Sequence, residues 1–295
     1  MDYFLSCCST TDMTEEWFTQ RNVKYICSHY QINDGEMLPD DLGKSTPFPD
    51  FYQAIRDGAM TSTSQISPGE YEEYFDSLLS QGMDVIHISL STGLTTTCQS
   101  AMLGAEPLKE KYPDRKLVII DSLNATCGYG LLVEAAADLR DKGMEFDELC
   151  AWVTENRNNI NVWACTNDLK YLIRGGRVSK LSGTIGQLLN VCPIIHIAPD
   201  GSLKTGAKIR TFKKALKHLE ETMEGLTNEG TEYSGKVFIG HADNMEGAQM
   251  LSAMIEEKFK KLAEKPRINY IGTTIGSHTG PGLVAFAFLG KKREE

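Results

Sequence analysis

The sequence predicts an α/β fold: an N-terminal parallel-sheet α/β domain over residues 1–160, followed by a second α+β domain over residues 161–295. Three observations support this prediction. Short apolar runs alternate with helix-like stretches in the first half of the chain, and near residue 160 the pattern changes to closely spaced strand-like runs with two long amphipathic stretches. A chain of 295 residues with 41% hydrophobic residues can also bury a core of two-domain size.

The first domain is expected to contain parallel strands at residues 23–27, 83–88 and 116–120, because each is a short apolar run bounded by polar residues. Helices are predicted at residues 68–80, 98–111 and 129–142. Ligands of such sheets bind beyond the carboxyl ends of the strands, where residues 89–97 and Asp121 should lie. Asp121 is equally well interpreted as the cap of the following helix.

The second domain is expected to mix strands with two long helices. Strands are predicted at residues 162–166, 194–197, 236–240, 268–271 and 283–289, and helices at residues 211–225 and 245–264.

Two hydroxyl-rich segments, residues 61–65 and 89–97, are the most informative feature for function. The second segment follows an apolar strand and precedes a predicted helix, whose free N–H groups favour an anion. Neither residues 61–70 nor residues 86–105 contain Lys or Arg, which favours a singly charged group such as a carboxylate over a triphosphate. The alternative is that these Ser and Thr residues only cap helices and fill turns.

Six blocks together resemble the DegV family of bacterial fatty-acid-binding proteins, in the order and at the approximate separations of that family. The resemblance covers nearly the whole chain. The blocks are residues 63–68 (TSQISP), 91–101 (STGLTTTCQSA), 121–125 (DSLNA), 172–179 (LIRGGRVS), 185–194 (IGQLLNVCPI) and 276–282 (GSHTGPG).

The resemblance implies that the protein binds one long-chain fatty acid and presents its carboxyl to a separate, ATP-dependent fatty acid kinase subunit. That partner would form an acyl phosphate for phospholipid synthesis, so this chain itself is expected to have no catalytic residue and no cofactor. By motif, Thr63, Thr95 and His278 would hold the carboxylate, with His278 in a glycine-rich turn. Supporting pocket residues would be Ser64, Ser91, Thr96, Thr97 and Thr279.

The chain departs from the family pattern at three positions that bear on ligand preference. Cys8 stands where the family typically has Asp, Thr96 where Gly is usual, and Cys192 where the family has Lys. An added Cβ at residue 96 restricts the backbone, and the change at residue 192 removes a positive charge.

Three arginines are candidate contacts for the kinase or for the transferred phosphate: Arg174, Arg177 and Arg210. Arginine suits recognition of phosphate, and its charge raises association rates. The alternative is that all three are solvated or structural, as most surface arginines are.

Composition argues against several other classes. The formal net charge of −10 disfavours nucleic acid as a partner, and the apolar runs are too short for a membrane span, so a cytoplasmic location is expected. The cysteines and histidines show no metal-ligand spacing, and His87, between two isoleucines, is expected to be a core histidine. No nucleotide-binding loop or Gly-x-Ser-x-Gly elbow occurs, but an acyl hydrolase or a lipid-dependent adaptor using the same pocket remains an alternative.

Overall fold

The structure is a computed structural model that describes residues 3–177 and 191–294. Parts of two of the six sequence blocks, residues 178–179 and 185–190, lie outside the described residues. The strands are β1 Tyr3–Cys8, β2 Val23–Ile26, β3 His29–Ile32, β4 Leu38–Pro39, β5 Thr61–Ser64, β6 Asp84–Ser89, β7 Leu117–Asp121, β8 Ile160–Cys165, β9 Val191–Ile197, β10 Leu203–Arg210, β11 Val237–His241, β12 Arg267–Tyr270 and β13 Val284–Leu289. The helices are α1 Glu15–Arg21, α2 Phe48–Arg56, α3 Pro68–Leu79, α4 Thr97–Lys111, α5 Thr126–Asp141, α6 Phe146–Asn156, α7 Lys170–Arg174, α8 Phe212–Leu226, α9 Met245–Lys258 and α10 Thr273–Thr279.

The N-terminal sheet has the strand order β2-β1-β6-β7, with every pair parallel, which confirms the predicted parallel sheet. The strands predicted at residues 23–27, 83–88 and 116–120 are β2, β6 and β7. Strand β1 was not predicted, although it lies next to β6 in the sheet and its last four residues are buried. Its sequence includes Ser6, Cys7 and Cys8, small residues that do not give a clear apolar run.

A small antiparallel sheet, β4-β3-β5, is a feature that the sequence analysis did not predict. Its strand β5 consists of the first hydroxyl-rich segment, and it pairs Thr63 with Tyr30 of β3. Threonine favours strands because its branched side chain fits a pleated surface. The segment therefore places alternate hydroxyls on one side of a strand instead of in a turn.

The second sheet has the order β10-β9-β8-β13-β11-β12, and all its pairs are antiparallel except β11 with β12. All five predicted strands of this half are present, and the polar strand β10 was not predicted. Helix α9 ends at Lys258, six residues before the predicted end at residue 264. The reason is Phe259, which leaves the helical conformation and is buried at 1% exposure.

Helix α10 corrects one prediction directly. His278 was expected in a glycine-rich turn, but it lies in the last turn of a helix that ends at Thr279 and is followed by Gly280, whose φ of +66° favours glycine. All strands of the six-stranded sheet lie at or after Ile160. Two helices pack across the predicted boundary: α5, from the first half, packs on the six-stranded sheet, and α10, from the second half, packs on β5. The division into domains at residue 160 stays a prediction.

Candidate functional site

A cavity of about 550 Å³ lies between the two hydroxyl-rich segments and the six-stranded sheet. Its volume is within the range of roughly 300–1,000 Å³ that small-molecule sites usually occupy. Much of its wall is apolar, because β8, β9 and β13 turn alternate side chains toward it. These side chains are Val162, Ala164, Ile195, Ile197 and Ala285, and Leu283, which immediately precedes β13, also lines the cavity.

The polar part of the cavity brings together the three residues predicted to hold a carboxylate. Thr63 of β5, Thr95 and His278 of α10 all line it. The hydroxyl of Thr63 and Nε2 of His278 are 2.8 Å apart and share a hydrogen bond, although they are 215 residues apart in sequence. The contact between β5 and α10 is strengthened by the Thr61 hydroxyl, which donates to the carbonyl of Ser277 at 3.3 Å.

The imidazole of His278 is half-buried and uncharged at neutral pH. Burial lowers its pKa to about 4, and the neighbouring charges of Arg177 and Arg174 contribute in the same direction. Gly175 makes room for the ring, since a Cβ there would lie 2.6 Å from Nδ1 of His278. A neutral imidazole can donate one hydrogen bond to a carboxylate oxygen while its other nitrogen accepts one.

The three candidate arginines occupy different places. Arg177 lines the cavity and lies near His278, so the polar end carries a positive charge that the hydroxyl segments themselves lack. Arg174 does not line the cavity, and its guanidinium contacts the sulfur of Met60 at 3.1 Å. Arg210 lies at the last position of β10, opposite Val191, and does not line the cavity either.

The second hydroxyl-rich segment is held by the turn between β9 and β10. The hydroxyl of Ser91 donates to the carbonyl of Gly201 at 2.9 Å and accepts from the N–H of Gly93 at 3.1 Å. A Cβ on Gly93 would lie 2.4 Å from the carbonyl carbon of Gly201, so this close approach requires glycine. Ser91 is fully buried and does not line the cavity, so it supports the segment and does not face a ligand.

The other supporting residues do line the cavity. The hydroxyl of Thr95 accepts the N–H of Thr97 at 3.3 Å and keeps its own proton free to donate. Thr97 is tied to the hydroxyl of Tyr71 at 3.1 Å, and Thr96 donates to the side chain of Gln65. The remaining two differ: Ser64 is exposed and donates to the carbonyl of Gln65, whereas the Thr279 hydroxyl is buried and has no hydrogen-bond partner among the described residues.

Asp121 and His87 have structural roles. Asp121 accepts the N–H groups of Leu123 and Thr92, so it neither caps the following helix nor faces the cavity. His87 is fully buried, as predicted for a core histidine, and its Nδ1 shares a hydrogen bond with Ser6 at 2.9 Å. Burial lowers its pKa to about 3.

Two of the cysteines that depart from the family pattern make buried polar contacts. Cys8 lies 3.3 Å from the hydroxyl of Tyr71 and 3.8 Å from Nε2 of His87. Burial raises the pKa of Cys8, so its thiol stays protonated beside a neutral imidazole. Cys192 donates to the side-chain oxygen of Asn167 at 2.8 Å.

Within residues 3–177 and 191–294 no group of three or more His, Cys, Asp or Glu side chains is arranged to hold a metal ion. Nor does any helix in this part of the chain have the length and apolar character needed to cross a membrane.

The model of one protein family, described as "Uncharacterised protein, DegV family", matches residues 8–291. The chain belongs to the DegV family. A DegV domain-containing protein of Clostridium perfringens is 35% identical over 286 residues, which cover 97% of each chain. This similarity confirms the family predicted from the six sequence blocks.

Solved DegV structures share the fold over almost their whole length. One is a Thermotoga maritima protein with a fatty acid binding function, which is 26% identical with a TM-score of 0.83 and covers 97% of this chain and 98% of that chain. Another is the fatty acid kinase (Fak) B3 protein of Streptococcus pneumoniae loaded with linoleic acid. It is 21% identical with a TM-score of 0.82, covers 99% of this chain and 100% of that chain, and shows the common fold.

Some residues that shape the site could not be identified from sequence. Asp12 and Asp40 contact the start of α10, far from His278 in sequence, and nothing in their local pattern indicates this. The glycine-rich block at residues 276–282, in contrast, did indicate part of the site from sequence. A Cβ on Gly280 would lie 2.0 Å from the ring of Tyr171, so the glycine-rich block marks the place where α10 meets α7.

Proposed function

We propose that this DegV protein binds one long-chain fatty acid, with its carboxylate at Thr63, Thr95 and His278 and its hydrocarbon chain along the apolar wall. The observation that carries the proposal is that one cavity has the hydroxyl and imidazole pair of Thr63 and His278 in its polar part and aliphatic side chains of β8, β9 and β13 along its wall. The fatty acid binding function of the Thermotoga maritima relative supports the same ligand class.

The energetics favour a ligand of roughly 14 to 18 carbons. Each buried methylene contributes about 0.8 kcal/mol, so about 14 of them contribute on the order of 11 kcal/mol before the cost of immobilisation. Sub-micromolar affinity needs a net value of about 8 kcal/mol. The positive charge of Arg177 near His278 adds attraction for the carboxylate without a direct ion pair.

An acyl hydrolase would use Thr63 as nucleophile and His278 as general base, and their 2.8 Å contact satisfies the first geometric requirement. The electrostatics argue against it. With a pKa of about 4, His278 is a weak base at neutral pH, and the charges acting on it are those of two arginines. In residues 3–177 and 191–294, no carboxylate that would raise the pKa and orient the ring is among the groups that act on His278.

The second step of the proposal is that the bound carboxyl is presented to a separate, ATP-dependent kinase that forms an acyl phosphate. The sequence blocks motivate this step. Arg177, at the polar part of the cavity, is well placed to contact a phosphoryl group as it is transferred, since guanidinium groups recognise phosphate through several hydrogen bonds. Arg174 and Arg210 lie outside the cavity and would contact the docked kinase.

Extraction of the purified protein with organic solvent, followed by mass spectrometry, tests the ligand. We expect one equivalent of a fatty acid of about 14 to 18 carbons, and calorimetry of the lipid-free protein should show one oleate site. Lipid-free protein after gentle purification, together with no oleate binding, would refute the proposal. Hydrolysis of a p-nitrophenyl acyl ester that is lost in Thr63→Ala would favour the hydrolase instead.

A further inference from the structure

Two buried carboxylates meet at the start of α10, the helix that carries His278. Asp40 is 2% exposed and accepts three hydrogen bonds from this helix: from the Thr273 hydroxyl at 2.8 Å, the Thr273 N–H at 3.2 Å and the Thr274 N–H at 3.1 Å. Asp12 is 7% exposed and accepts the N–H of Gly272 at 2.9 Å. Together they accept three of the four free N–H groups at the start of the helix, those of Gly272, Thr273 and Thr274.

Helix α10 depends on such anchoring because it is only seven residues long. A helix of this length is not stable by itself, since the cost of starting a helix exceeds what two turns return. His278 is its sixth residue, so the position of the imidazole relative to Thr63 follows the position of the first turn. The hydroxyl of Tyr52 donates to the carbonyl of Ile271 at 2.7 Å and fixes the chain just before the helix.

Burying Asp12 and Asp40 close together is energetically unfavourable, which indicates that the pair has a specific role. A Cβ on Gly272 would lie 2.9 Å from Oδ1 of Asp12 and 3.1 Å from Oδ1 of Asp40, so the two carboxyl groups are within about 6 Å of each other. In the described parts of the chain neither has a salt bridge to a Lys or Arg. Burial raises the pKa of both groups, and the repulsion between them adds to it for Asp12.

We infer that Asp40, supported by Asp12, is a positioning residue for the ligand-binding histidine: it fixes the first turn of α10 and thereby aligns His278 with Thr63. An aliphatic or amide side chain at residue 40 would not serve equally well. The two carboxylate oxygens of Asp40 receive three donors, whereas an amide has one acceptor oxygen and would turn its NH₂ group toward one of the N–H groups. The inference rests on the proposed function only for the part that concerns fatty acid affinity.

The test compares Asp40→Asn with the parent in two measurements. In lipid-free protein, NMR titration of His278 should show its pKa rising by at least one unit from about 4, because a displaced ring is less enclosed and further from Arg174 and Arg177. In the oleate titration, Kd should rise at least fivefold. The matched control is Asp76→Asn, the same substitution at a carboxylate of α3 that accepts from the Tyr112 hydroxyl at 2.8 Å and does not line the cavity. It should lower the thermal midpoint without changing either reading.

A milder variant keeps the test decisive if Asp40→Asn does not fold. Thr273→Ala removes the 2.8 Å hydrogen bond to Asp40 and keeps both N–H donors, so it should shift the same two readings by a smaller amount. If both variants fold, their effects should be less than additive, since they act on one contact. An unchanged His278 titration in either folded variant overturns the inference. Absence of oleate binding in the parent protein would instead refute the proposed function and leave the titration test valid.

Discussion

The apolar wall of the cavity allows a quantitative test at Ala164. This residue lies on β8 opposite Ile195 of β9 and Ala285 of β13, so it is in the middle of a three-strand surface that faces the cavity. The substitution Ala164→Leu adds three carbon atoms, which would occupy the room of about three methylenes of the ligand. At about 0.8 kcal/mol for each methylene, the loss is about 2.4 kcal/mol, or roughly 50-fold in Kd for stearate.

The assay is calorimetric titration of the lipid-free variant with laurate, myristate, palmitate and stearate. Because a shorter chain leaves room for the new side chain, we expect the affinity loss to decrease as the chain shortens, while the thermal midpoint changes little. Ala253→Leu, at an exposed position of α9, is the control for fatty acid that binds unspecifically to apolar surface. Parent-like affinity for stearate with the parent's dependence on chain length would show that the chain does not lie along β8.

Three further predictions concern the polar part of the cavity and the partner. Thr63→Ala combined with Thr95→Ala should weaken oleate binding by roughly 1 to 3 kcal/mol, because removing each hydroxyl that donates to the carboxylate costs about 0.5 to 1.5 kcal/mol. Calorimetry that shows parent-like binding would place the head group elsewhere. Stability should fall as the pH drops from about 6.5 toward 4, because the unfolded chain takes up a proton that His278 in the folded protein does not. Urea denaturation of His278→Gln should therefore show a shallower dependence of the unfolding free energy on pH in that range, and equal slopes would contradict the lowered pKa. With a supplied fatty acid kinase, Arg177→Gln should reduce acyl-phosphate formation more than it reduces oleate affinity. Charge reversal at Arg210 should reduce the rate of acyl-phosphate formation and the salt dependence of that rate, while oleate affinity stays near the parent value. Parent-like acyl-phosphate formation in both variants would place the kinase docking surface elsewhere.

The elements that the sequence predicted well are those with a strong local pattern. Strand β6 gives a continuous apolar run because five of its six residues are buried, and the amphipathic stretches of α8 and α9 show the helical period of 3.6 residues because one face is buried. Strands β5 and β10 were missed for the opposite reason. Thr61–Ser64 and Leu203–Arg210 are polar and mostly half-buried or exposed, and they are strands because their backbones pair with β3 and β9, which leaves no apolar pattern in their own sequence.

The candidate site was predictable as a set of residues but not as a geometry. Motif resemblance placed Thr63, Thr95 and His278 together, and the structure brings all three to one cavity. What could not be predicted was the lowered pKa of His278, which depends on enclosure by residues distant in sequence. The position of Arg177 beside the cavity could not be predicted either. The two hydroxyl-rich segments contain no Lys or Arg, and the positive charge comes from the residues after α7, which are distant from both segments in sequence.

The most direct test of the central claim is a crystal structure of the protein with oleate. The account predicts a carboxylate oxygen within about 3 Å of the Thr63 hydroxyl and of Nε2 of His278, with the chain passing along Ala164 and Ile195. A carboxylate at the opposite end of the cavity, or an acyl chain on the protein surface with the cavity filled by water, would contradict it.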